Sequence, residues 1–171
     1  MDKKMNGESE KLGLEHEAAK IFMHAYETLT GKAIRHIWHN KPRKPDTSCM
    51  LDGEHLDLEI AHLYGSELEA MKFLGRELSG QSKLDLHLME SSTDSSDRLL
   101  IALNSILEKK SHKYYRSHRA WLVIRNVHTD WNVEKIKKLV PDIIIPKSHP
   151  FNQIWVVGDV KGESGIVCLY Q

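Results

Sequence analysis

The sequence predicts one α/β domain in which helices pack against a central β-sheet. Apolar residues recur at helical spacing over residues 12–29, two alternating runs flank Asp52-Gly53, and two strand-like apolar runs end the chain. With 171 residues and 40% hydrophobic content, the chain has the usual size of one domain and can bury one sizeable core. We therefore expect a single domain over residues 1–171.

The first half of the chain reads as a helix followed by three strands. The helix ends at Gly31, and residues 33–39 form a strand-like run. Asp52-Gly53 between alternating runs is a strong hairpin signal, because glycine tolerates the positive φ that tight turns require. The predicted order here is one helix and then a three-stranded meander.

Residues 66–97 are predicted to be an insertion or helical excursion. Within it, residues 67–78 read as a helix and residues 89–97 as a polar linker. Asp97 is the predicted N-cap of the next helix, which runs towards Tyr114. This stretch is a candidate lid, dimer contact or simple excursion, and the sequence leaves a homodimer open.

The remaining elements are a strand, a short helix and two closing strands. They are predicted over residues 120–125, 133–140, 154–159 and 165–170. The complete predicted order is αβββ(α)αβαββ.

Charge is neutral overall but unevenly distributed. Lys+Arg and Asp+Glu both number 24, so the net charge favours no class of partner. Residues 31–45 and 109–119 are basic and contain no acid, whereas residues 66–97 are mainly acidic. Two basic blocks therefore flank the hairpin in sequence.

Cysteine usage and hydropathy favour a cytoplasmic protein. Cys49 and Cys168 each lie in an apolar run, which suits two buried thiols in a reducing compartment. The N-terminus has no apolar signal core, and no stretch approaches the ~18 apolar residues of a membrane span. We expect no membrane association.

The hairpin brings acidic side chains together. If Asp52-Gly53 is a two-residue loop, Asp46 lies opposite Glu59, and Asp57 shares their face. Like charges in directly opposed strand positions destabilise a sheet unless something compensates them. A raised pKa, a basic side chain or a bound cation would do so, and Mg²⁺ suits two carboxylates with room for phosphate oxygens. An exposed face whose acids pair with lysines is the alternative.

These residues resemble the PD-(D/E)XK nuclease superfamily, which includes many restriction and repair endonucleases. Pro45-Asp46 matches the PD of its motif, and Glu59-Ile60-Ala61 stands where (D/E)XK lies. The element order over residues 10–125 is also similar, since that family runs helix, three-stranded meander, helix, strand. The resemblance implies a restriction endonuclease-like mixed sheet flanked by helices.

The resemblance also implies a set of site residues. Asp46, Glu59 and the carbonyl of Ile60 would hold Mg²⁺ or Mn²⁺, and Glu17 on the first helix matches an extra acid that many members carry. The sequence departs from the motif at Ala61, which replaces the lysine whose amine orients the attacking water or stabilises developing charge.

Two lysines on a later helix are candidates for the missing amine. Lys110 falls in the middle of the apolar stripe of the helix that follows Asp97, and Lys113 lies near its edge. A lysine on such a stripe must reach solvent or meet an acid. Some family members supply the lysine from the following helix. The central position of Lys110 on the stripe favours it over Lys113. A solvated helix end in a basic block is the alternative.

Other aromatic and imidazole groups are less specific. Tyr114 and Tyr115 lie among basic residues and are candidates for base stacking, although tyrosines at the end of an amphipathic helix usually serve packing. His62 is predicted to be a partly buried histidine rather than a catalytic base.

The leading hypothesis is a Mg²⁺-dependent nuclease that hydrolyses DNA. An alternative metal site pairs Asp57 with Glu59 as the D-x-E of a few restriction enzymes, but it ranks second because Asp46, not Asp57, opposes Glu59. A rival function is a catalytically degenerate member that binds nucleic acid or protein, and Ala61 is its main support.

Overall fold

The computed structural model describes residues 2–41, 44–92 and 94–171. Arg43 of the first basic block lies outside the described residues. The described helices are α1 (Asp2–Thr30), α2 (Glu67–Phe73), α3 (Gly80–Ser92), α4 (Ser95–Ser111), α5 (Val133–Leu139) and a 3-10 helix (Val140–Asp142). The described strands are β1 (Ile34–His39), β2 (Thr47–Leu51), β3 (Glu54–Leu63), β4 (Ala120–Asn126), β5 (Gln153–Val157) and β6 (Ile166–Tyr170).

The six strands form one open mixed sheet in chain order. β1, β2 and β3 make an antiparallel meander, β3, β4 and β5 are parallel, and β6 is antiparallel to β5. Parallel neighbours require crossover connections, which α2, α3 and α4 supply between β3 and β4, and α5 between β4 and β5. The predicted α/β class, a mixed sheet with helices against it, is confirmed.

Helices cover both faces of the sheet. On one face α1 buries Phe22 against Trp121 and Trp155. On the other face α4 buries the leucine stripe that ends at Leu107. Because β3 and β4 lie between two helical layers, both strands are almost wholly buried.

The turn between β2 and β3 has the predicted conformation. Asp52 has φ of 48° and Gly53 has φ of 80°, which are the two left-handed positions of a two-residue hairpin loop. The Asp52 carboxylate accepts a hydrogen bond from the N–H of Ala33 at 3.1 Å. The turn is thereby tied to the start of β1.

The stretch between β3 and α4 differs from its prediction. The helix expected over residues 67–78 ends at Phe73, since the chain turns at Gly75 with φ of 68°. α3 covers part of the expected linker, of which Thr93 lies outside the described residues. The N-cap of α4 is Asp94 instead of Asp97, and its carboxylate accepts from the N–H of Ser96 at 2.8 Å.

Both cysteines are free thiols, as predicted. Cys49 is fully buried and Cys168 is partly buried. In the part of the chain that the structure describes, no helix has the length and apolar character needed to cross a membrane.

Candidate active site

The hairpin places two carboxylates side by side where β2 begins, next to the interior strand β3. β2 and β3 pair in the predicted register, from Leu51 opposite Glu54 to Thr47 opposite Leu58. Asp46 directly precedes Thr47, and its carboxyl group lies beside that of Glu59. The Asp46 Oδ2 atom accepts a hydrogen bond from the N–H of Ile60 at 2.9 Å. The N–H and C=O of one strand residue point to the same side, so the Ile60 carbonyl also points to the side of β3 on which Asp46 lies.

These groups open into a cavity of about 410 Å³, which we call the charged cavity. It combines acidic side chains from α1 and the hairpin with lysines from three segments and two tyrosines that follow α4. Its lining residues are Lys11, Glu15, Lys44, Asp46, Glu59, Ile60, Lys110, Lys113, Tyr114 and Tyr115.

Glu59 is the most desolvated acid of the charged cavity, with 4% of its surface exposed. Burial and the adjacent Asp46 carboxylate together raise the pKa of its carboxyl to about 8, although Lys110 acts in the opposite direction. Two acids side by side in a poorly hydrated place therefore lack full compensation from the protein.

Lys110 reaches this pair of acids. Its side chain is 19% exposed, and Nζ lies 3.6 Å from the Glu59 Oε1 atom. The amine extends from the end of α4, the helix whose leucine stripe packs on β3. The structure thus places an amine from α4 beside the acids, although Ala61 supplies none.

Lys113 is less closely associated with the acids than Lys110 is. It lines the charged cavity, but among the described residues no carboxylate lies within ion-pair distance of its amine. It is free to meet an anion that enters the cavity.

The acid that α1 contributes is Glu15, whereas the sequence favoured Glu17. Glu15 is 7% exposed, and its pKa is raised by burial and by Asp46. Glu17 lies outside the charged cavity and pairs with the buried Arg125 at 3.3 Å. Helix positions two residues apart differ by about 200° around the helix axis, so Glu15 and Glu17 face different surroundings.

Asp57 lies outside the charged cavity and is fully engaged elsewhere. Its oxygens accept hydrogen bonds from Ser48, His55 and Ser117. Although burial raises the pKa of this carboxyl, the three hydrogen bonds hold it below its usual value. The structure does not bring Asp57 together with Glu59 as a ligand pair.

The two tyrosines after α4 have different surroundings. Tyr115 packs on Phe151 with 5.6 Å between ring centroids, and its buried hydroxyl lies beside the Glu59 carboxyl. Burial and the nearby Glu59 carboxyl raise the pKa of that hydroxyl. Tyr114 is 84% exposed at the cavity mouth.

His62 is partly buried, as predicted. Burial, helped by Arg125, lowers the pKa of its imidazole to about 4, so the ring is neutral at pH 7. Its Nε2 atom is buried and has no hydrogen-bond partner in the described part of the chain.

The donor set can be compared with the needs of a metal ion. Within residues 2–41, 44–92 and 94–171, no group of three or more His, Cys, Asp and Glu side chains is arranged as a complete metal site. Mg²⁺ needs only one or two carboxylates with water and phosphate oxygens. Asp46, Glu59 and the Ile60 carbonyl are hard oxygen donors, and an acid pair that Lys110 compensates only in part fits a divalent cation.

Fold and cavity together define a mixed α/β protein with a carboxylate and lysine site beside the interior strand β3. Comparisons of the chain with protein-family models, with curated proteins and with solved structures find no match.

Proposed function

We propose that this protein is a Mg²⁺- or Mn²⁺-dependent nuclease that hydrolyses DNA phosphodiester bonds. The observation that carries the proposal is the position of the Lys110 amine, 3.6 Å from Glu59 in a cavity shared with Asp46. Two acids and one amine are the groups that a metal-dependent phosphodiesterase of the PD-(D/E)XK kind requires. The amine is supplied by α4 instead of by position 61.

The element order supports a restriction endonuclease-like topology. α1 precedes the β1 to β3 meander, and α4 leads into β4, which is parallel to β3. In this arrangement Glu59 lies on β3, the strand that the meander shares with the parallel part of the sheet, and Asp46 lies beside Glu59. The C-terminal end of α4 lies close to both acids.

The proposed metal ligands are Asp46, Glu59 and the Ile60 carbonyl, with Glu15 assisting in place of Glu17. When bound, the cation would polarise the phosphate and lower the pKa of a coordinated water. Asp46 is oriented for this role by the hydrogen bond from the Ile60 N–H.

The lysines of the cavity have separate roles in this proposal. Lys110, held next to Glu59, positions the attacking water and stabilises the charge that develops on the phosphate. Lys113 and Lys44 line the same cavity and attract the phosphate backbone. The substrate is thus held by charge in a molecule whose net charge is zero.

DNA cleavage with and without divalent metal tests this function. We expect wild-type protein to cleave in Mg²⁺ or Mn²⁺ and to be inactive with a chelator. Asp46→Ala and Glu59→Ala should each lose about 100-fold or more of this activity, because each removes a metal ligand.

The matched control is Glu54→Ala, which removes an exposed carboxylate from the other end of β3. It should cleave at the wild-type rate. Undiminished cleavage by both purified Asp46→Ala and Glu59→Ala would refute the assignment.

A second function is favoured by Ala61. A protein that lacks the motif lysine on β3 is a candidate for a catalytically degenerate module that binds nucleic acid or another protein. Thermal unfolding separates the two functions: stabilisation by Mn²⁺ supports the nuclease, whereas stabilisation by DNA or a protein partner with no effect of metal supports the module.

A further inference from the structure

A second cavity adjoins the charged cavity along β3. Its volume is about 410 Å³, within the range of ligand pockets, roughly 300–1,000 Å³. The two cavities share Lys11, Glu15 and Ile60 in their walls. We call the second cavity the side chamber, and a ligand bound in one can extend into the other.

The side chamber differs from the charged cavity in chemistry. Leu14 of α1 and Leu74 after α2 give it apolar walls. His62 and Tyr64 add two nearly parallel rings, with 6.3 Å between centroids and 20° between planes. Flat rings beside aliphatic walls suit a planar, partly apolar group.

The chamber also has polar groups that such a ligand would use. The buried Nε2 atom of His62 has no hydrogen-bond partner among the described residues. Arg76 also lines the chamber and pairs with Glu10 of α1 at 3.9 Å, and both side chains are about half exposed. The side chamber therefore offers an unpaired nitrogen of His62 in its interior and the guanidinium of Arg76 on its solvent side.

We infer that the side chamber binds the nucleobase of an unpaired nucleotide whose phosphate lies in the charged cavity. This inference rests on the proposed function and specifies its substrate class as single-stranded or extruded nucleotides. Bases stacked inside a duplex cannot enter such a chamber without leaving the stack. The charged cavity suits the phosphate of a nucleotide, and the side chamber, with its flat rings and apolar walls, suits the base.

Binding of a short single-stranded oligodeoxythymidylate and of an abasic deoxyribose-phosphate strand of equal length tests this inference. Both are titrated by fluorescence anisotropy in Ca²⁺, which takes hard oxygen ligands but lacks the strict octahedral preference of Mg²⁺. Wild-type protein should bind the strand with bases about tenfold more tightly, the scale of stacking on aromatic side chains. Equal affinity for the two strands overturns the inference.

Leu14→Trp fills the chamber and should abolish the preference for bases. Leu12→Trp is its matched control, because Leu12 lies on the same helix, is 40% exposed and does not line the chamber. Tyr64→Ala removes a ring and leaves space, and it should also reduce the preference for bases. This variant replaces Leu14→Trp as the test if Leu14→Trp does not fold. Retention of the full preference in folded Leu14→Trp or in Tyr64→Ala overturns the inference.

The two proposals fail in different ways. A base preference without metal-dependent cleavage contradicts the nuclease function alone. Metal-dependent cleavage without a base preference contradicts the side chamber alone.

Discussion

At the scale of single residues, two charged side chains lie on buried helical stripes. Lys110 continues the leucine stripe of α4, and Glu15 lies one turn before Ala18 and Ala19, which are fully buried. A charge in such a position must meet a partner. The rule predicted the placement of Lys110, and the same rule applied to α1 would have selected Glu15 in preference to Glu17.

The first residue-scale prediction separates Glu15 from Glu17. Glu15→Gln should lower cleavage about tenfold, because it removes an acid from the charged cavity. Glu17→Gln should leave cleavage unchanged but lower the free energy of unfolding by about 1 kcal/mol, since buried Arg125 loses an ionic partner. Cleavage rates and urea unfolding of both variants check this, and a larger loss of cleavage in Glu17→Gln would reverse the assignment.

The second residue-scale prediction concerns pH. Folding raises the pKa of Glu59 from 4.5 to about 8, so the native state favours the neutral carboxyl. The resulting contribution to stability is fully present below pH 4.5 and is lost as pH rises through about 8. Without metal, the unfolding free energy of wild type should therefore fall relative to that of Glu59→Gln over this interval.

Urea unfolding of the two proteins across that pH range provides the measurement. Mg²⁺ should reduce the fall in wild type, because a bound cation favours the ionised carboxylate. Parallel pH profiles for wild type and Glu59→Gln would show that the Glu59 carboxyl is not perturbed.

At the scale of elements, the β2 to β3 hairpin was predictable and the stretch between β3 and α4 was not. The hairpin follows from two local rules, the turn preference of Asp52-Gly53 and the alternation of side chains along a strand. α3 begins at Gly80 and ends in a serine-rich sequence, so neither composition nor strong apolar spacing indicated it. The N-cap of α4 was misplaced by one turn for a similar reason: two aspartates lie within four residues, and both suit the position.

The element-scale prediction concerns the turn that sets the register. Gly53→Ala should lower the free energy of unfolding by about 1–2 kcal/mol, because Gly53 has φ of 80° and alanine is strained there. Gly13→Ala is the control, since Gly13 lies inside α1 with nothing near the added methyl group. It should raise stability by about 0.5–1 kcal/mol. A neutral Gly53→Ala in urea unfolding would contradict the assigned turn.

At the scale of the whole molecule, the candidate site exists only after four segments assemble. α1 supplies Glu15, the hairpin supplies Asp46 and Glu59, α4 supplies Lys110, and the segment before β2 supplies a further lysine. Local sequence rules could pair the two acids, but Tyr115 beside Glu59 depends on how the chain leaves α4, which no local pattern specifies. Cytoplasmic location and a homodimer stay predictions.

The central claim is that an amine from α4 completes a metal-dependent site on β3. The most direct measurement is the rate of DNA cleavage in Mg²⁺ by Lys110→Ala, with Lys109→Ala as the control from the same turn of α4, because Lys109 is exposed and does not line the charged cavity. We predict that Lys110→Ala loses about 100-fold in rate, whereas Lys109→Ala cleaves like wild type. Cleavage by Lys110→Ala at the wild-type rate would contradict the account.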